Sequence, residues 1–182
     1  LHPSLNLVHS VKVDEDEMDL IRDAGAHIVH CPISNMYLGS GVAPIAQYLR
    51  RDINVASASD GPASNNSQNM FETIKISACQ QRAVTEDPDA VSMDQAIRMA
   101  TVNGGIALGN TSLGTIKEGA AADLILLDTR AAHLQPYHSA GATIAYSAQA
   151  SDVDTVFVNG QMVLRGKTPL FLDEQALLGE CS

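Results

Sequence analysis

Asn6-Leu-Val-His9, Ala26-His-Ile-Val-His30 and Ile53-Asn-Val-Ala-Ser-Ala-Ser59 are three short apolar runs, each followed by a polar loop and then a helical pattern. Apolar runs of this length, bounded by turn residues, read as buried strands. After the first, Asp14 with Glu17 three residues on forms an acidic variant of a capping box. Met18, Leu20, Ile21 and Ala24 supply the apolar faces of the helix that follows, and Gly25 stops it. The second run leads into a loop holding Pro32, Gly39 and Gly41, then a helix over 42–51. The third leads into a polar loop over 60–67 and a helix over 68–84. Three β-α units in succession imply parallel strands joined by right-handed crossovers, an α/β class.

Two short helices over 92–99 and 102–108 follow, broken near Thr101, and Ser92 with Gln95 is a second capping box. From Gly114 the texture changes to strands at 122–128, 153–158 and 161–164. Asn159-Gly160 between two apolar runs is a type I′ hairpin signal. The chain thus divides into an α/β part over 1–112 and a small β part over 113–182.

Composition narrows the function classes. Of 182 residues, 45% are hydrophobic and 18% charged, which excludes intrinsic disorder. Aromatics are 4% with no Trp, so the core is aliphatic. Eleven Lys plus Arg against 21 Asp plus Glu leave a net charge of −10 and no basic face, so a nucleic-acid partner is not expected. No apolar run approaches the ~20 residues of a membrane span. Cys31, Cys79 and Cys181 form neither a disulfide framework nor a metal knuckle, which points to a reducing, cytoplasmic compartment. The Leu-His-Pro start lacks Met and a leader, and reads as cut.

The polar residues of each β-α unit gather where strand gives way to loop: His9 and Ser10, His30 and Cys31, Ser59 and Asp60. In parallel α/β architectures that edge is the functional one, because its loops converge on one cleft. Two His and one Asp arriving there suit a metal site or an acid/base pair. The competing reading is structural: a strand-end Asp caps the next helix, and a His in an apolar strand is a satisfied core residue.

The loops carry a resemblance. His30-Cys-Pro-Ile-Ser-Asn-Met-Tyr-Leu-Gly-Ser-Gly41 and Ser59-Asp-Gly-Pro-Ala-Ser-Asn-Asn66 resemble the amidohydrolase superfamily, in its branch of cytosine, guanine and S-adenosylhomocysteine deaminases and s-triazine hydrolases. That branch ends its sixth barrel strand in a His about fifty residues before the strand-eight Asp, and His9 precedes Asp60 by 51. Gln95-Ala-Ile-Arg-Met-Ala-Thr-Val-Asn-Gly104 is similar to its post-barrel helices. Gly114 to Asp128 and Val153 to Gly160 are similar to its return into a small β domain and the closing hairpin of that domain. The resemblance implies the C-terminal part, about strands six to eight, of a metal-dependent (β/α)8 TIM barrel, followed by part of a small β-sandwich. A full barrel takes roughly 250 residues. The family's His-x-His pair and its His with a Glu three residues later are not in this sequence; His9 has Lys12 at that spacing.

The same resemblance implies the roles. Asp60 would bind one divalent ion, Zn in preference to Fe, and take a proton from metal-bound water. His9 would sit beside it as a second catalytic residue, and His30 would face the pocket as a substrate contact or anchor the loop. The function implied is hydrolysis of a C–N (or C–Cl) bond in an aminated heterocycle by metal-bound hydroxide, most simply a deamination, with the isolated chain inactive. Ser34, Asn35, Asn65 and Asn66 are expected to fix loop turns, and His27, His133 and His138 to be structural or surface residues. A different class remains open: a non-catalytic α/β fragment that folds by self-association. Either way the open strand edges call for a homo-oligomer or for association with a missing N-terminal half. A nucleotide-binding domain is disfavoured, since Gly39-Ser-Gly41 lacks a third glycine and lies far past the strand.

Overall fold

The computed structural model describes residues 2–180. Three parallel strands, β1 (Asn6–Val8), β2 (His27–His30) and β3 (Val55–Ser57), lie side by side in chain order. Their register aligns Val8 with Val29 and Val29 with Ala56, while Ile28 pairs with Leu7 and Val55. Alternation along a strand sends these two sets to opposite faces. One face, with Ile28 and Val55 both 0% exposed, packs against helices. The other stays open, with Val8 50% exposed.

Helix α1 (Glu15–Asp23) starts at Asp14 in a complete capping box with Glu17, as its sequence dictates, and buries Met18 and Ile21. The loop after β2 is more structured than its sequence suggests. It contains α2 (Pro32–Tyr37), with Pro32 in the first turn, before α3 (Ile45–Arg50). The loop after β3 likewise contains α4 (Pro62–Asn65), and α5 (Met70–Thr85) follows from an Asn69 cap. Both short helices exploit proline's preset φ at a position whose N–H has no helical partner anyway. Helices α6 (Met93–Met99), capped by the Ser92–Gln95 box, and α7 (Val102–Ala107) complete this layer. Asn103 of α7 donates to Val55 O at 2.8 Å, and Asn6 of β1 donates to Ala107 O at 3.1 Å.

The β part is a four-stranded antiparallel sheet: β4 (Leu124–Leu127), β5 (Val153–Val158), β6 (Gln161–Arg165) and the two-residue β7 (Thr168–Pro169). Asn159 and Gly160 turn β5 into β6 with φ of 49° and 77°, the two positive angles a type I′ turn requires. Gly114 joins the two parts. A Cβ there would lie 2.5 Å from Thr101 C, at the α6–α7 junction, and its φ is 72°. Only glycine permits that approach. Among the described residues no helix is long and apolar enough to cross a membrane.

Tyr48 ties this packing to the functional edge. Its ring is 0% exposed on α3, and its hydroxyl donates to Ser10 O at 2.6 Å. His9 N donates to Val29 O at 2.9 Å. The end of β1 is therefore fixed from the helix layer and from the neighbouring strand, just where the chain turns into positive φ at His9 (68°) and Ser10 (46°).

Candidate active site

Asp60 and His9 leave β3 and β1 at the same edge of the sheet, with β2 between them. Each adopts a left-handed backbone, Asp60 at φ 65° and His9 at 68°. Such angles are uncommon for residues with a Cβ and must be over-determined by their surroundings. They swing both side chains over the strand ends, where His9 Nε2 and Asp60 Oδ2 come within 3.9 Å. Both remain partly open, with His9 41% and Asp60 30% exposed.

Three donors hold the Asp60 carboxylate. Ser34 Oγ donates to Oδ2 at 2.6 Å, Ser64 Oγ to Oδ2 at 2.9 Å and Gly61 N to Oδ1 at 2.8 Å. The Ser34 hydroxyl is the main cause that holds this carboxyl below the usual carboxylate range, followed by the Gly61 amide and Ser64. On the far side of the pair, His9 Nδ1 meets Asn35 Oδ1 at 2.9 Å. Ser34 and Asn35 are neighbours on α2, at 0% and 2% exposure. They do more than shape a turn, because each reaches one member of the pair. Asn65 and Asn66 do serve the loop: Asn65 donates to Ser59 O at 2.6 Å, and Asn66 closes α4 in a left-handed conformation.

His30, expected to face the pocket or anchor the loop, is fully buried and close enough to His9 to feel its charge. Strand alternation puts it on the helix-facing side with Ile28, where it is 0% exposed. It does not anchor the loop by hydrogen bonds, since among the described residues neither ring nitrogen has a partner. Burial pushes its pKa down to about 3, with His9 a lesser cause. Cys31, beside it, is buried, and its thiol is pushed up to about 11 by burial, so it is no nucleophile at neutral pH. His133 lies at the surface, as expected, with its side chain 38% exposed, and from there pairs with the buried Asp152 at 2.9 Å, across 19 residues of sequence.

The carboxylate suits a metal ligand. Two hydroxyl hydrogens occupy Oδ2 and one amide hydrogen occupies Oδ1, which leaves Oδ1 with acceptor capacity. Asp60 could supply one ligand only. Among the described residues no three His, Cys, Asp or Glu side chains are grouped as a metal centre, whereas catalytic zinc takes three or more protein ligands.

Residues 3–163 match the model of the amidohydrolase family. This chain belongs to that family. It is 42% identical over 168 residues to a 5-methylthioadenosine/S-adenosylhomocysteine deaminase of Acetivibrio thermocellus, covering 92% of this chain and 39% of the relative. In structure it matches an adenosine deaminase of Xanthomonas campestris with bound zinc, at a TM-score of 0.95 and 33% identity over 98% of this chain and 41% of that one. It also matches the zinc complex of an atrazine chlorohydrolase from Arthrobacter aurescens, at a TM-score of 0.92 and 26% identity over 98% and 40% of the two chains. The chain therefore spans about two fifths of the length of these relatives. The relatives are hydrolytic enzymes, and the chain is an amidohydrolase-type segment of mixed α/β structure.

His30 makes the acid sensitivity of the fold measurable. Unfolded, it binds a proton below its ordinary pKa of 6.5; folded, it stays neutral down to about 3. Between those values the unfolded state binds more protons, so stability is lost as pH falls, by about 1.4 kcal/mol for each pH unit. We expect His30→Leu to change stability at neutral pH by no more than about 1 kcal/mol. It should also remove that part of the slope in urea denaturation followed from pH 7 to pH 4. A variant that keeps the wild-type slope would show that His30 does not control it.

Proposed function

We propose that this chain carries barrel strands six to eight and the closing β domain of a hydrolytic deaminase, in which Asp60 and His9 act on an aminated heterocycle of the adenosine type. The observation that carries the reading is the convergence of the two residues from non-neighbouring strands, at 3.9 Å, at one edge of the sheet. The names of the relatives support the substrate class. Under this reading β4–β7 are part of a small β-sandwich, and the units meet near residue 112.

The reaction replaces an amino group on an amidine-like ring carbon by oxygen. A C–O bond forms from water, the C–N bond breaks, and the departing nitrogen takes a proton and leaves as ammonia. Asp60 would be one ligand of a divalent cation, zinc in preference to iron, with the other ligands supplied from beyond this chain. When bound, such a cation acidifies water and compensates developing charge. Asp60, held anionic by Ser34, Gly61 and Ser64, then receives the proton and returns it to the leaving amine. A carboxylate below its usual range is a weak base, so it accepts a proton only from an acidified donor and releases it readily. His9, beside it, polarises the nucleophile or a ring heteroatom.

A specific observation also supports the second reading for the chain by itself. The face of β1–β3 that carries Val8 and Val29 is open, and β1 and β3 are both edge strands. Unpaired edges beside apolar area, worth ~25 cal/mol per Å², need cover. We infer that the complementary part of the protein covers them, or a second copy when that part is absent.

In a complete protein carrying this chain, we expect Asp60→Ala to abolish deamination of adenosine-type nucleosides. His9→Ala should lower kcat by 100-fold or more, on the order of one lost acid/base contribution, with bound zinc unchanged. Full turnover in the Asp60 variant would remove the proposal; zinc loss in the His9 variant would make His9 a ligand. For the isolated chain, light scattering at micromolar concentration should report a dimer or larger species without deaminase activity. A monodisperse monomer with a cooperative melt would mean that the open face needs no partner.

A further inference from the structure

Ser34 and Asn35 hold the two members of the pair separately, and they are consecutive residues of one helical turn. Ser34 Oγ donates to Asp60 Oδ2 at 2.6 Å, and Asn35 Oδ1 lies 2.9 Å from His9 Nδ1. The turn itself is fixed. Asn35 N donates to Cys31 O at 3.0 Å, Leu38 N to Ser34 O at 2.9 Å and Ser40 N to Asn35 O at 2.9 Å. Both side chains are enclosed, at 0% and 2% exposure, so neither is free to follow its partner. Asp60 and His9, by contrast, stand on left-handed backbone that their own chains do not favour.

We propose that Asn35 is a positioning residue that fixes the tautomer and orientation of His9, and that with Ser34 it makes α2 the gauge setting the distance between the two catalytic side chains. This rests on the functional reading above for its catalytic meaning. Its structural content does not. An amide oxygen is an acceptor only, so with Asn35 Oδ1 facing the ring the contact is a hydrogen bond when His9 carries its proton on Nδ1. The other nitrogen, Nε2, then presents a lone pair. It faces a carboxylate oxygen 3.9 Å away, too far for a direct hydrogen bond. Asp60 Oδ2 already accepts from Ser34 and Ser64, so Nε2 is the open acceptor of the pair on this side. A group that carries a proton, such as a water or a protonated ring nitrogen, satisfies it, whereas a group that offers only lone pairs does not. The imidazole is held as an acceptor before any substrate arrives, and no reorganisation is needed at that moment.

Ring nitrogen NMR tests this on the chain at about pH 8.5, where an ordinary histidine is neutral. In the wild type we expect His9 Nδ1 protonated and Nε2 unprotonated. Asn35→Asp keeps an acceptor and no donor at that position, and should keep this tautomer. Asn35→Ala removes the acceptor and should give a mixture or the Nε2–H form. Wild-type chain with Nε2 protonated would overturn the proposal without recourse to any variant, and so would an Asn35→Ala spectrum identical to wild type. Loss of the tautomer in Asn35→Asp would mean that the amide donates to His9 instead, which also overturns it. In the complete protein, Asn35→Ala should lower kcat about 10- to 100-fold with KM little changed, and Asn35→Asp should recover part of the loss. If the tautomers behave as expected but the complete protein shows no deamination, the functional reading fails and the positioning role stands.

Discussion

The hydrogen bond from Ser34 to Asp60, at 2.6 Å the shortest of three on that carboxylate, is the contact on which the functional edge depends. It joins the loop after β2 to the loop after β3 and keeps Asp60 anionic. The same turn of α2 reaches back through Asn35 to the end of β1. The ends of the three β-α units are thereby set in one geometry. The support comes from below: Tyr48 in the helix layer holds Ser10, and the buried face of the sheet holds Tyr48's neighbours.

This arrangement separates strength from chemistry. The aliphatic face with Ile28 and Val55 supplies the packing, while the residues at the strand ends accept unfavourable backbone angles. Angles of that kind persist where surroundings over-determine them and function uses the result. Here they lift a carboxylate and an imidazole over the sheet edge instead of leaving them to alternate along the strands. The open opposite face is the counterpart of a chain that spans about two fifths of its relatives.

Much of the fold is legible in the sequence. The three strands follow from their apolar runs, α1 and α6 from their capping boxes, and the β5–β6 hairpin from Asn159-Gly160. Helices α2 and α4 are not, because six and four residues are too few for a 3.6-residue period to register, and their prolines read as breaks. That hides what Ser34 and Asn35 reach. The left-handed turns at His9 and Asp60 are equally hidden, since His and Asp enter that region more readily than most residues but do not require it. His30 is different: the alternation His27-Ile-Val-His30 already puts it with Ile28 on the buried side, a signal that the strand-end pattern obscures. The His133–Asp152 pair joins residues that only the folded β part brings together.

The claim that most of this account turns on is that Asp60 is the point at which this chain meets a divalent cation, with His9 beside it. Zinc-edge anomalous scattering from crystals of the complete protein measures it directly. The account expects a zinc peak about 2 Å from the Asp60 carboxylate, at the edge of the sheet where His9 and Asp60 meet. A peak bonded to other residues, with Asp60 outside bonding distance, would contradict it.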